Sequence, residues 1–265
     1  MAIGVLIISH GSRNREWVRL VDEAVEPLRK AAAFPVVGVF LELVEGRLIQ
    51  DGIDALERMG VTEMIVVPLF VSSGSKHVEE ISWALGLKAE CRFATDLGRL
   101  RLNSRVTMCA PIDSDEDIVN ILYDKLAPLS VDPTQEVVML VGHGSDLPEL
   151  QSVWREGLER TARRLQVRGA FAACDSVTLI PDEAGEKLER WRRFRPDLKV
   201  VAAPFFVSEG YFTEKVIPSR FKGYDVRYNG RSLLPHPLMV QWIKRRIAEQ
   251  MKELDVDEQE GEAHL

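Results

Sequence analysis

Gly4 to Ile8 is an unbroken apolar run that stops at the polar group Ser9-His10-Gly11-Ser12. A short run of this kind, closed by a turn signal, reads as a strand buried on both faces. Residues 14–32 change period: Trp17, Leu20, Val21, Ala24, Val25 and Leu28 recur at helical spacing and predict an amphipathic helix. The alternation continues with a strand over Val36 to Leu43, a helix over 46–59 closed by Gly60, and a strand over Met64 to Phe70. A helix near Val78 to Leu85 and a strand over Val106 to Ala110 follow. Asp113-Ser114-Asp115-Glu116 then opens a helix with acidic groups at its positive end. Short apolar strands separated by helices predict an α/β fold, a mostly parallel sheet with helices on both faces.

After a linker-like stretch from Pro128 to Glu136 the pattern restarts. Val137 to Val141 is a new strand ending at Gly142-His143-Gly144-Ser145, followed by a helix at 149–166, a strand at 175–180, a helix at 183–194 and a strand over Val200 to Phe206. His10-Gly11-Ser12 returns as His143-Gly144-Ser145, and Pro68-Leu69-Phe70-Val71-Ser72-Ser73-Gly74 as Pro204-Phe205-Phe206-Val207-Ser208-Glu209-Gly210, at nearly the same offset. Five identities in seven positions mark a tandem duplication. The expected domains are residues 1–130, carrying the active site, a degenerate copy at 131–250, and an acidic tail at 251–265 that is solvated and frayed.

Composition narrows the function. Lys and Arg total 34 against 41 Asp and Glu, a net charge of −7. That balance argues against general nucleic-acid binding and requires that any anionic ligand find a local positive site. No apolar run reaches the roughly 18 residues of a membrane helix, and the N-terminus lacks a basic start and cleavage site, so a cytoplasmic protein is expected. Cys91, Cys109 and Cys174 are widely spaced and form no C-x-x-C, which fits reduced thiols and excludes a cysteine-held cluster. The signatures of a dinucleotide fold, a P-loop and a nucleophile elbow are all absent.

Candidate chemistry lies at the carboxyl ends of the strands, where open parallel sheets bind ligands. His10 follows the first strand, Glu42 lies near the end of the second, and His77 is in the loop after the third. Two imidazoles and a carboxylate can hold a divalent metal or accept protons. Plainer readings exist for each: His10 as a cap, Glu42 as a solvated acid, His77 as part of an exposed helix start. The repeated His-Gly-Ser favours function in this loop, with Gly11 and Gly144 at backbone positions that exclude a Cβ. His236, between two prolines, reads as a turn residue, His264 as part of the tail, and Cys109 as core.

At these residues the sequence resembles the class II chelatases, the sirohydrochlorin cobaltochelatase and ferrochelatase family in its long, two-lobe form. The matching pieces are Ile7 to Arg13, Val39 to Leu43 and Val66 to Ile81, covering most of the first half. The resemblance implies two α/β lobes facing a cleft and insertion of Co²⁺ or Fe²⁺ into sirohydrochlorin, on the way to cobalamin or sirohaem. It carries the family's metal-site histidines to His10 and His77 and its glutamate to Glu42. No cofactor beyond the substrate metal ion is implied, and the duplication favours a monomer. Expected donors to the tetrapyrrole carboxylates are Ser12, Arg13, Ser72, Ser73 and Lys76, with Ser145, Ser208 and Tyr211 from the second lobe. This sequence departs from the family pattern where Val44-Glu45-Gly46 replaces a proline after Glu42. In the second half, Thr213 aligns with His77, and Leu179-Ile180-Pro181 stands where a glutamate is needed. One active site, in the first half, is therefore expected. The competing readings are a non-catalytic tetrapyrrole or metal carrier, and a chelatase for another tetrapyrrole or for Ni²⁺.

Overall fold

In a computed structural model, which describes residues 2–262 and side chains through Leu254, the apolar runs are the sheet interiors. Val5, Leu6, Ile7 and Ile8 of β1 (Ile3–Ser9) are all but inaccessible, as continuous hydrophobicity requires of a strand covered on both faces. It is flanked by β2 (Val36–Phe40) and β3 (Glu63–Pro68), with β4 (Arg105–Met108) outside β3; all pairings are parallel and the order is β2-β1-β3-β4. Helix α1 (Arg15–Ala31) joins β1 to β2, α2 (Ile49–Arg58) joins β2 to β3, and α3 (Lys76–Ala84) follows β3. Asn14 caps α1 by accepting the Glu16 amide at 2.9 Å, and Leu20, Val21, Ala24, Val25 and Leu28 form its buried stripe. Each such side chain contributes about 1.5–3 kcal/mol when taken out of water.

The second sheet repeats this plan: β5 (Glu136–Gly144), β6 (Ala173–Ile180), β7 (Lys199–Pro204) and β8 (Val226–Arg227), again parallel, in the order β6-β5-β7-β8. Before it come α4 (Glu116–Leu126) and a 3-10 turn at Pro133–Gln135; α5 (Pro148–Gly169) and α6 (Ala184–Phe194) are its crossovers. A π-helical segment, Phe212–Val216, runs into α7 (Ile217–Arg220), and α8 (Pro237–Glu262) ends the described chain. The duplication read from two short motifs thus extends to the complete strand order.

The chain divides into two compact units that cut across the sequence repeats. One comprises Met1–Leu69, His77–Pro111 and Val240–Leu265; the other comprises Phe70–Lys76 and Ile112–Met239. Helix α4, from the first repeat, packs against α5 and β7. Most of α8, from the second repeat, counts with the first sheet, where the buried Cys109 thiol donates to the Arg246 carbonyl at 3.6 Å.

Three sequence expectations are corrected. Strand β2 ends at Phe40, so Glu42 sits in the bend beyond it. Strand β5 extends through His143, which the repeat motif had suggested as turn. The residues expected to fray from 251 onward continue α8 as far as Glu262, and His264 lies outside the described residues. His236 does more than turn the chain: its Nδ1 accepts the Leu238 amide at 3.2 Å as a cap for α8. All three cysteines are free thiols, and burial pushes Cys109 up to about 11 and Cys174 to about 12. Among the described residues no helix is long and apolar enough to cross a membrane.

Gly11 and Gly144 mark the same constraint twice. Their φ values are +101° and +78°, and a Cβ at either would collide with a backbone carbonyl oxygen, that of Glu42 or of Ile180. Alanine at 144 would also meet Thr178 and Gln151, at 2.8 and 3.0 Å. The Gly144→Ala variant is therefore expected to lose about 3 kcal/mol or more of unfolding free energy. Urea denaturation measures it, and a loss of under about 1 kcal/mol would remove the steric explanation.

Candidate active site

The strand order β2-β1-β3-β4 places a topological switch between β1 and β3: the crossover from β1 leads to β2 on one side, and the chain from β3 leads to β4 on the other. Ligands bind at such points, beyond the carboxyl ends of the strands. Residue pairing brings those ends level. Ile8 lies beside Pro68, Ser9 beside Phe40, and the ladder continues past β2 as Leu41 N–H to Ser9 and Glu42 N–H to His10, at 2.8 and 3.1 Å. Glu42 is thus registered against His10 by main-chain bonds rather than by its side chain.

The His10 and His77 rings meet edge to face, with centroids 4.7 Å apart and planes at 82°. His10 Nδ1 is 3.1 Å from the Gly11 carbonyl oxygen and 3.7 Å from Glu42 Oε1. His77, on the first turn of α3, has its Nδ1 3.3 Å from Glu80 Oε2, one turn along the same helix. Oxygen acceptors at both Nδ1 atoms select the Nδ1–H tautomer and direct each lone pair to Nε2, the arrangement that makes imidazole a metal ligand. Glu80 is buried whereas Glu42 is about half exposed. Burial, and then the neighbouring His10, hold His77 below the ordinary histidine range against the opposing pull of Glu80 and Glu42, so its imidazole is neutral near pH 7. Adjacent Glu79, also buried, is drawn down to about 2 by hydrogen bonds from Arg92 and Lys88, which tie the loop after α3 to the helix.

Among the described residues no three His, Cys, Asp or Glu side chains are placed to enclose a metal ion. The two imidazoles with Glu42 beside them form an open arrangement. A cavity of about 410 Å³ near Arg29, Arg47 and Val39 contains none of these residues.

The expected substrate donors are dispersed. Ser12 Oγ accepts the Asn14 amide at 3.0 Å, and Arg13 is exposed. Ser72 is buried, its hydroxyl accepting the Gly74 amide at 3.0 Å, while Ser73 donates its amide and hydroxyl to Asp113 at 2.8 and 2.5 Å. These two serines shape their own loop. Lys76 opens α3 and is partly exposed. Ser145 Oγ accepts the Leu147 amide, Ser208 is buried, and Tyr211 is exposed.

In the second repeat, His143 Nδ1 again lies 3.1 Å from the following glycine carbonyl, and Ile180 is paired with Gly144 where Glu42 meets Gly11. The ring facing His143 belongs to Phe212, at 4.8 Å and 76°. Thr213, aligned with His77 by sequence, is buried and hydrogen-bonded to Gly210. Phe212, one residue before the aligned Thr213, thus stands against His143 as His77 stands against His10. Sequence reasoning also passed over Glu80, although its i+3 spacing from His77 on a predicted helix was available.

Fold and site define a class: duplicated α/β proteins of the chelatase fold. SirB from Bacillus subtilis, in a structure with Fe³⁺, superposes over 94% of this chain and 95% of its own, with a TM-score of 0.72 at 20% identity. The CbiX family model matches twice, over residues 4–129 and 137–250, and the chain belongs to that family. It is 29% identical over 169 residues to a sirohydrochlorin ferrochelatase of Priestia megaterium, covering 63% of this chain and 58% of the relative. It is 29% identical over 134 residues to a sirohydrochlorin cobaltochelatase of Sulfolobus acidocaldarius, covering 50% of this chain and 97% of the relative. The chain thus spans little more than half the length of the curated ferrochelatases it matches.

Histidine NMR tests the site electrostatics. His77 is expected to titrate below the ordinary value of 6.5, and Glu80→Gln to lower its midpoint further, because Glu80 favours the charged ring. A folded pKa held down leaves this group's stability contribution intact above the unfolded value and removes it as pH falls, since the unfolded chain takes up the proton first. A midpoint unmoved or raised in Glu80→Gln would exclude the contact.

Proposed function

We propose that this protein inserts Co²⁺ or Fe²⁺ into sirohydrochlorin. The observation carrying this reading is the pair of neighbouring imidazoles at the switch point, each with Nδ1 on an oxygen acceptor and its lone pair at Nε2. His10 and His77 deliver the ion. Insertion replaces two pyrrole N–H protons by M²⁺, so the two protons must leave as the metal enters. Glu42, partly exposed beside His10, orients that ring or takes up a proton and returns it to solvent. The metal is a substrate, and the exchange needs no redox change and no nucleotide.

Relatives named for iron and for cobalt both support the reading, and imidazole with carboxylate accepts either ion. The substrate's carboxylates require cationic or N–H donors on an acidic chain. Arg13 and Lys76 serve best, with Ser12 beside Arg13; Ser72 and Ser73 act indirectly, by holding the loop before α3. In the second repeat the exposed Tyr211 is the candidate donor, while Ser145 accepts its own loop's Leu147 amide and Ser208 is buried. The three free thiols suit a cytoplasmic enzyme, and two units in one chain suit a monomer.

The test is an anaerobic absorbance assay with sirohydrochlorin and either Co²⁺ or Fe²⁺, beside protein-free and His10→Ala samples. Wild type is expected to accelerate insertion through many turnovers. His10→Ala should retain the fold and lose roughly 100-fold or more in rate, since a delivering ligand acts in the reaction itself. Insertion limited to one equivalent per chain would indicate a carrier, and full activity in His10→Ala would remove that residue from the reaction.

A further inference from the structure

The second repeat preserves the scaffold of the site while changing its chemistry in one direction. Gly144, His143 and the strand-end pairing are retained, with the same 3.1 Å contact at Nδ1 and nearly the same ring separation as in the first repeat. The loop that reads Ser75-Lys76-His77 in the first repeat reads Tyr211-Phe212-Thr213 in the second. Random loss of a metal site leaves small or polar residues as readily as any other. Here, a polar, cationic and ligating triplet has become two aromatic rings and a buried threonine.

Those rings continue into an array. Phe212 stacks on Phe206 with centroids 5.8 Å apart and planes at 20°, and Tyr211 meets the edge of Phe212 at 5.8 Å. Phe206 and Phe212 rest on the hydrophobic core of their own unit and are partly exposed, whereas Tyr211 is 71% exposed. The array stands at the carboxyl ends of β5 and β7, the ligand end of the sheet, and Phe212 opens a π-helical segment, a feature often found at functional sites. Its site matches that at which the first repeat presents His10 and His77.

We propose that Phe212, backed by Phe206, offers its other face as a platform on which a planar tetrapyrrole stacks, with the Tyr211 ring, at 74° to Phe212, bordering the macrocycle's edge. The platform rests on the reading above, because a conjugated macrocycle is the ligand whose flat face this array suits; it adds a binding role for the second repeat. The positions that answer to His77 and Glu42 supply no ligand here: Phe212 has no donor atom, and Ile180 has no side-chain oxygen.

Metal-free sirohydrochlorin titrated into the full-length protein, followed by tetrapyrrole absorbance, tests this directly. Phe212→Ala is expected to weaken binding roughly tenfold, as removal of a stacking ring does elsewhere. Tyr211→Ala should weaken it measurably, and Phe212→Trp should restore it. Calorimetric titration with Co²⁺ alone should give wild-type affinity in all three variants, because the proposed ligands are His10 and His77. If wild type binds and both alanine variants bind equally well, the platform is wrong while the chelatase reading stands. If wild type does not bind sirohydrochlorin, both fail. Should Phe212→Ala also lose Co²⁺ affinity, its fold is disturbed, and the exposed Tyr211 decides: weakened tetrapyrrole binding upholds the platform and unchanged binding overturns it.

Discussion

The site depends on a close approach of two backbones. At Gly11 the chain leaves β1 with positive φ and passes so near the Glu42 carbonyl that no side chain fits between them. That contact sets where His10 emerges and keeps the extension of β2 level with it. It also puts the Gly11 carbonyl within reach of the His10 Nδ1. The position of one imidazole, its tautomer and the proximity of a carboxylate all follow from a glycine with no catalytic atom. The second repeat shows the separation cleanly. Gly144 meets the same constraint against Ile180, His143 takes the same contact, and the chemistry is nevertheless different.

This separation of scaffold from chemistry explains what could be read from sequence. Strand and helix order was visible because sheet interiors are continuous apolar runs and α1 carries a clean stripe; the paired His-Gly-Ser turns then revealed the duplication. The ends of elements were less visible. The apolar period of β2 continues to Leu43, yet hydrogen bonding past Phe40 belongs to a bend, which hydrophobicity does not encode. The placement of α4 with the second sheet and of most of α8 with the first was equally hidden, because an apolar stripe states that a helix is buried and not against what.

The site was legible to a similar depth. His10, Glu42 and His77 were selected for lying near strand ends, and the structure brings His10 beside each of the other two. Glu80 escaped because it reads as one of two adjacent surface acids on a short helix, whereas both are buried and each has a different partner. Phe212 escaped because alignment counts residues, whereas the helix of the second repeat begins one residue earlier relative to the repeated motif and brings Phe212, not Thr213, against His143. Ser72 and Ser73 look available in sequence, whereas in the structure they hydrogen-bond within their own loop and to Asp113.

On the proposed reading, the open arrangement of the candidate metal site is a requirement of the chemistry rather than a shortfall. A structural site saturates its ion with four ligands and retains it. A protein that hands the ion to a macrocycle must bind well enough to strip water from the ion and weakly enough to release it to four pyrrole nitrogens. Two imidazoles binding through their lone pairs would provide nitrogen donors without adding negative charge, leaving positions for the incoming ring. Carboxylates near the Nδ1 atoms strengthen those donors without occupying the metal's coordination positions. Glu80, buried and adjacent to His77, provides this support in a fixed geometry. Glu42, half exposed and beside His10, keeps the solvent contact that a proton acceptor needs. On that reading the difference in burial between the two carboxylates suits two tasks, one that must stay still and one that must exchange protons with water.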